Sequence, residues 1–222
     1  MADRGGRFRK VNQRQGEGCG DPVSHRQKPD EGTPLNSPSH EWRHNNERYP
    51  MLNQARASAE HLSPHDQAEF RRALGHYPTG VCIVTAQHDN KPIGMTIGSF
   101  TSVSLDPPLV GFLPAHSSQT WPLIAKAGAF CVNILADDQS DLPGRFAKRD
   151  ADRFQDIAHS RSSLDLPVFD GVVAWIDCTL HSAHEAGDHL FVMGNVLTLS
   201  VVRDRPPLLF CRGAFGGFVA GT

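Results

Sequence analysis

Residues 94 to 110, GMTIGSFTSVSLDPPLV, carry five small hydroxyls, Thr96, Ser99, Thr101, Ser102 and Ser104, among apolar side chains such as Met95, Ile97 and Phe100. Hydroxyls donate and accept hydrogen bonds without adding charge or bulk. A strand so decorated either turns one face to water or lies against a polar, phosphorylated ligand. A second cluster, Ser117-Ser118-Gln119-Thr120, falls where a helix is expected to begin. There, free backbone N–H groups and the positive end of the helix dipole favour phosphate. Ordinary N-capping is the commoner role for one such cluster; two clusters in one small domain favour a phosphorylated ligand.

Other chemistries find less support. The chain has 12 histidines, but His181 and His184, three apart on an expected strand, point to opposite faces, and no metal site is expected. His189 stands apart because it follows the Gly187-Asp188 turn at the mouth of an expected hairpin, either as an exposed loop residue or facing a ligand. Ser99 is not in a G-x-S-x-G elbow, so nucleophilic hydrolysis has no support. Gly213, Gly216 and Gly217 do not match G-x-G-x-x-G, and too little chain follows them for a dinucleotide-binding helix. The five cysteines are scattered without a C-x-x-C pair, and the four that sit inside apolar stretches read as reduced, buried thiols.

The elements that must position these groups can be read from the pattern. Ser63-Pro64-His65-Asp66 opens a helix, with Ser63 as N-cap, whose Phe70, Ala73, Leu74 and Tyr77 pack one face on the core. Strands follow at 80–87, along the quoted stretch, at 108–113 and at 129–135, with short helices at 118–126 and 137–146, the latter broken or bent at Pro143-Gly144. Residues 172–185 and 189–202 form a long hairpin, and 207–213 a last strand. This succession predicts a mainly β fold with peripheral helices, an antiparallel barrel rather than a doubly wound parallel sheet.

At 222 residues there is room for one ordinary domain with an appendage. Residues 1–60 are poor in apolar side chains and are expected to form a disordered extension, with the folded domain over 62–218. A net charge of -2 points to neither nucleic acid nor a membrane surface. With no apolar run of about 20 residues and no signal-peptide core, the expected compartment is the cytoplasm.

The segments HYPTGVCIVTA, GMTIGSFTSVSLDPPLV, NILADDQ, RFAKRDADRF, AHEAGDHLFVMGNV and PLLFCRGAFGGF occur in that order over Phe70 to Phe218. Together they resemble the flavin reductase family, the short reductases that serve two-component flavin monooxygenases. The resemblance implies a split β-barrel, a homodimer, and NAD(P)H-dependent reduction of FMN or FAD, with hydride passing from nicotinamide C4 to flavin N5. Reduced flavin would go to a separate monooxygenase. Carried onto this chain, it implies that Met95, Thr96, Ser99, Phe100, Thr101 and Ser102 line the flavin, and that Ser118 and Thr120 meet its phosphate. It further implies that Asn133 lies near the ring, that Lys148 helps neutralise phosphate, that His189 positions the nicotinamide and that Phe215 closes the pocket. The alternatives are a flavin carrier or sensor without turnover, and a split-barrel oxidase with its own small substrate. The residues do not choose between NADH and NADPH.

Overall fold

The computed structural model describes residues 61–148, 152–219 and 221. The chain divides into two units, Met1–Ala59 and Glu60–Thr222, and every described residue lies in the second. The expected N-terminal extension falls outside the described residues.

Among the described residues twelve strands and three helices are formed. A seven-stranded antiparallel sheet runs in the order β3 (Lys91–Ile97), β2 (Cys82–His88), β6 (Ala129–Ile134), β9 (Ala174–Ala186), β10 (His189–Val201), β5 (Pro108–Phe112), β4 (Thr101–Leu105). A smaller sheet joins β1 (Thr79–Gly80), β11 (Leu208–Cys211) and β12 (Ala214–Gly217), and β7 (His159–Arg161) pairs with β8 (Pro167–Phe169). Helices α1 (Gln67–Leu74), α2 (Trp121–Ala127) and α3 (Leu142–Ala147) lie between strands in the chain. Among the described residues no helix is long and apolar enough to cross a membrane.

The central strands β2 and β6 are largely apolar because both of their faces are covered. Cys82, Val84 and Ala86 of β2, with Phe130 and Val132 of β6, enter one core, while Ile83 and Cys131 enter a second on the other face. In the first core Phe112 meets Trp121 and Phe130 edge-on at 5.8 and 5.4 Å. Such pairs add about 0.5–1.5 kcal/mol beyond the area they bury. Gly194 makes room for this cluster, since a Cβ there would lie 2.5 Å from the Phe130 ring. Burial pushes the thiols of Cys82 and Cys178 up to about 12, so neither supplies a nucleophile at neutral pH.

Three local expectations are corrected. The first helix begins at Gln67, not Pro64: Asp66 is its N-cap, its side chain accepting from the Ala68 and Glu69 amides. Glu69 reaches back to the Ser63 amide at 2.6 Å, so Ser63 stands outside the helix. No residue of α1 is buried, and Phe70, Leu74 and Tyr77 are exposed rather than packed in the core. The quoted stretch is two strands, not one. It leaves β3, crosses at Gly98–Phe100 and becomes β4 at the opposite end of the ladder. Lastly, Pro143 lies in the first turn of α3 and starts that helix rather than breaking it.

The segment joining β10 to β11 is tied down by charge. Asp137 accepts from Arg205, Asp138 is bridged by Arg203 at 2.6 and 3.1 Å, and Gly217 passes so close to Asp137 that a Cβ there would lie 3.0 Å from its carboxylate. The Arg203 hydrogen bonds hold the Asp138 carboxyl below its ordinary 3.8. A carboxyl lowered on folding stabilises the fold above its unfolded value and loses that contribution as pH falls through its folded value. Thermal unfolding followed from pH 6 to pH 3 is therefore expected to show a loss of stability below about 4 that is smaller in Asp138→Asn. Identical pH profiles for the two proteins would refute the clasp.

Candidate functional site

The crossing at Gly98–Phe100 shapes the site. A cavity of about 1160 Å³ opens beside it. One wall is the end of β3 and the crossing, from Met95 to Ser99; the facing wall is the loop from Leu113 to Thr120. The helix α1 contributes Phe70, Arg71 and Leu74, α3 contributes Phe146 and Ala147, and the tip of the β9–β10 hairpin contributes Asp188 and His189. The apolar stripe on α1 thus faces a cavity rather than a core, and its periodicity could not tell these apart.

Of the expected flavin residues, Met95, Thr96, Ser99, Ser118, Thr120 and His189 meet at this cavity. Their hydroxyls also hold the frame. Thr96 donates to the Pro143 carbonyl of α3 at 2.8 Å. Ser99 accepts from the Leu113 amide at 2.9 Å and so ties the crossing to the end of β5. Ser118 accepts from the Trp121 amide at 3.1 Å. Each therefore keeps only part of its bonding capacity for a ligand.

The remaining expected residues lie elsewhere. Thr101 and Ser102 belong to β4, exposed at the sheet edge, and do not line the cavity. The sharp crossing carries them past it, which a reading of one continuous strand could not foresee. Phe100 is half-buried against the first core. Asn133 is fully buried: its amide donates towards Ile83, Thr85 and Pro167, and its carbonyl accepts from the Phe169 amide at 2.9 Å. These bonds join β6, β2 and β8. Lys148 is exposed at the C-terminal end of α3 and lines no cavity. Phe215 is exposed on β12 and touches the cavity only through Phe210, against which it packs at 5.2 Å.

Arg71 of α1 lines the cavity, and so does Arg153, five residues beyond Lys148. The Arg153 guanidinium donates to the Gly94 carbonyl at 2.8 Å and to Thr120 Oγ1 at 2.9 Å. Among the described residues no carboxylate lies within ion-pair distance of it. A half-buried guanidinium that, among the described residues, is held by neutral oxygens suits an anionic ligand. The sequence showed Arg153 inside RFAKRDADRF, but only the return of the chain after α3 selects it over its basic neighbours.

At the opposite rim His189 is bonded through Nδ1 to Asp188 at 2.7 Å and pairs by backbone with Ala115. The hydrogen bond to His189, and then its charge, hold the exposed Asp188 carboxyl below its ordinary value. The carboxylate fixes the ring's orientation and leaves Nε2 for a ligand.

The chain matches the model of the flavin reductase like domain over residues 74–218. It is 54% identical over 156 residues to a flavin reductase of Pseudomonas putida, covering 70% of this chain and 92% of that one. It is 45% identical to an FMN reductase (NADH) of Agrobacterium fabrum, over 67% of this chain and 84% of the relative. Among solved structures, nitrilotriacetate monooxygenase component B of Mycobacterium thermoresistibile aligns with a TM-score of 0.68 at 46% identity, covering 69% of this chain and 87% of that one. An NADH:FAD oxidoreductase of Streptomyces globisporus aligns with a TM-score of 0.69 at 34% identity, covering 72% and 98%. The mainly β architecture with peripheral helices is that of these split-barrel proteins, and this chain belongs to the flavin reductase family.

Proposed function

We propose that this protein is an NADH-dependent flavin reductase that supplies reduced FMN or FAD to a separate monooxygenase. The observation that carries the site reading is the pairing of Arg153 with a hydroxyl-lined cavity whose far rim holds His189. The residues fit a flavin nucleotide: an anion-binding guanidinium at one end, and backbone with small side chains from Thr96 to Ser99 along the wall. When bound, the flavin supplies the acceptor for hydride from the nicotinamide, chemistry no side chain here provides. The protein's part is position and electrostatics. Arg153, Ser118 and Thr120 would hold phosphate, and Met95 to Ser99 would border the ring. His189, oriented by Asp188, would position the nicotinamide.

NADH is preferred to NADPH on the strength of relatives described as NADH-dependent. Reductase components of two-component monooxygenases among the relatives support the partner. The same reading makes the protein a cytoplasmic homodimer with a domain spanning 62–218. The exposed alternate residues Leu197, Leu199 and Val201 of β10 offer an apolar surface for a second copy.

The test is oxidation of NADH and of NADPH by the purified protein with no flavin, with FMN and with FAD. Turnover that rises and saturates with added flavin supports the reductase. Flavin binding without turnover in any combination overturns it in favour of a carrier, and turnover only with a further organic substrate makes it an oxidase. His189→Ala is expected to raise the KM for NADH by roughly tenfold, about 1.4 kcal/mol of lost positioning, with flavin affinity unchanged. Unaltered NADH kinetics in that variant would remove His189 from the site.

A further inference from the structure

Arg153 stands between two spaces. Beyond it lies a second cavity, of about 290 Å³, and its side chain lines both this and the larger one. A long side chain with open space on two sides is not aimed by packing. Its tip is held by the Gly94 carbonyl and Thr120 Oγ1. Its root is set by the turn over residues 153–156.

That turn is anchored on α3 twice. Phe154, next to Arg153, is buried against Phe146 of α3, edge-on at 5.1 Å, and stacks on Phe169 at 5.6 Å. Arg145, the neighbour of Phe146, holds the same turn by its main chain. Its guanidinium donates to the Gln155 carbonyl and reaches the Asp152 carbonyl at 3.5 Å. These two carbonyls lie on either side of Arg153 in the chain. The helix is a firm base, with Leu142, Pro143 and Phe146 buried and Thr96 donating to its Pro143 carbonyl. Arg145 itself lines neither cavity, and among the described residues no carboxylate lies within ion-pair distance of it. A ring contact alone leaves the turn free to rock about the ring. Charged donors on its carbonyls remove that freedom.

We propose that Arg145 is a positioning residue for anion binding: by holding the carbonyls around Arg153 to α3, it aims the Arg153 guanidinium into the large cavity. This rests on the reading of Arg153 as the group that meets the flavin phosphate. Arg145 touches no ligand, so its influence passes through Arg153. The alternative, attraction of the phosphate by the charge of Arg145 itself, acts without Arg153 and needs only a cation.

The experiment is equilibrium titration with FMN and with riboflavin, read by tryptophan quenching, of the parent, Arg145→Met, Arg145→Lys, Arg153→Ala and the Arg145→Met, Arg153→Ala double variant. Methionine keeps the apolar stem and removes the donors. Arg145→Met is expected to weaken FMN about tenfold, the scale of one misdirected charge-assisted hydrogen bond, and to leave riboflavin unchanged. In the Arg153→Ala background the same change is expected to cost FMN nothing further, the non-additivity of two residues that act as one. Arg145→Lys is expected to recover only part of the affinity, because one ammonium cannot reproduce the planar fork. A full loss that persists without Arg153, or full recovery in Arg145→Lys, overturns the proposal in favour of a direct charge effect. Equal weakening of FMN and riboflavin overturns it by making Arg145 a support of the wall. If Arg145→Met does not fold, Arg145→Lys decides: FMN weakened with riboflavin unchanged supports the aim, and FMN unchanged overturns it. If Arg153→Ala binds FMN as the parent does, the reading of Arg153 itself fails, an outcome distinct from all of these.

Discussion

Replacing Arg153 with alanine is expected to weaken flavin binding by about 10- to 100-fold. Hydrogen bonds to a charged group contribute roughly 1.5–3 kcal/mol, and each 1.4 kcal/mol is about tenfold in affinity. The guanidinium is half-buried, so the interaction is less screened than a surface pair. Its two neutral partners, the Gly94 carbonyl and Thr120 Oγ1, set its direction without cancelling its charge. Tryptophan-quenching titrations with FAD, FMN and riboflavin would separate the role of phosphate from that of the frame. FAD and FMN should both weaken, whereas riboflavin, which has no phosphate, should bind the variant and the parent alike. An equal loss for riboflavin would mean that Arg153 only supports the wall. Arg153→Lys should fall between the two, because it keeps the charge but loses the planar fork.

Asn133→Ala is expected to destabilise the domain by about 1–3 kcal/mol. The substitution leaves the Phe169 amide without its Asn133 acceptor and takes one donor from the Pro167 and Ile83 carbonyls, all in a region closed to water. Each buried polar group left unsatisfied costs about 1–3 kcal/mol. The hydrogen bond of Thr85 to the Pro167 carbonyl, at 2.6 Å, survives the change and keeps the loss from being total. Denaturant unfolding would measure it, with flavin titration of the folded variant alongside. A stability equal to that of the parent together with weakened flavin binding would restore Asn133 to the ligand site and contradict its placement between β6, β2 and β8.

These two residues show why the site was only partly legible. Asn133 and Lys148 were assigned by their places in the NILADDQ and RFAKRDADRF segments. Position in a segment says which strand or helix end a residue belongs to, but the face it presents depends on what packs there. Asn133 presents its amide to β2 and β8, and Lys148 turns to solvent at the end of α3. The hydroxyl run divides in a related way. It lines the cavity only as far as Ser99, because the crossing at Gly98–Phe100 sends Thr101 and Ser102 to the far edge of the sheet. The helix α1 was found by its period, yet the period does not distinguish a core from a cavity, and Phe70 and Leu74 face the latter.

The sequence by itself determined the mainly β class, the long hairpin around Gly187, the stop of α2 at Gly128, the buried places of Cys82, Cys131 and Cys178, and the family. These rest on short-range rules: alternation, capping, turn chemistry and ordered segments within one chain. Only the tertiary structure decided which hydroxyls share a cavity, that Arg153 rather than Lys148 reaches it, and that a second space lies beyond. Those depend on contacts between residues tens of positions apart, such as Arg153 with Gly94 and Ser99 with Leu113. Such contacts are set by how the sheet crosses over and packs, and no local pattern along the chain encodes that.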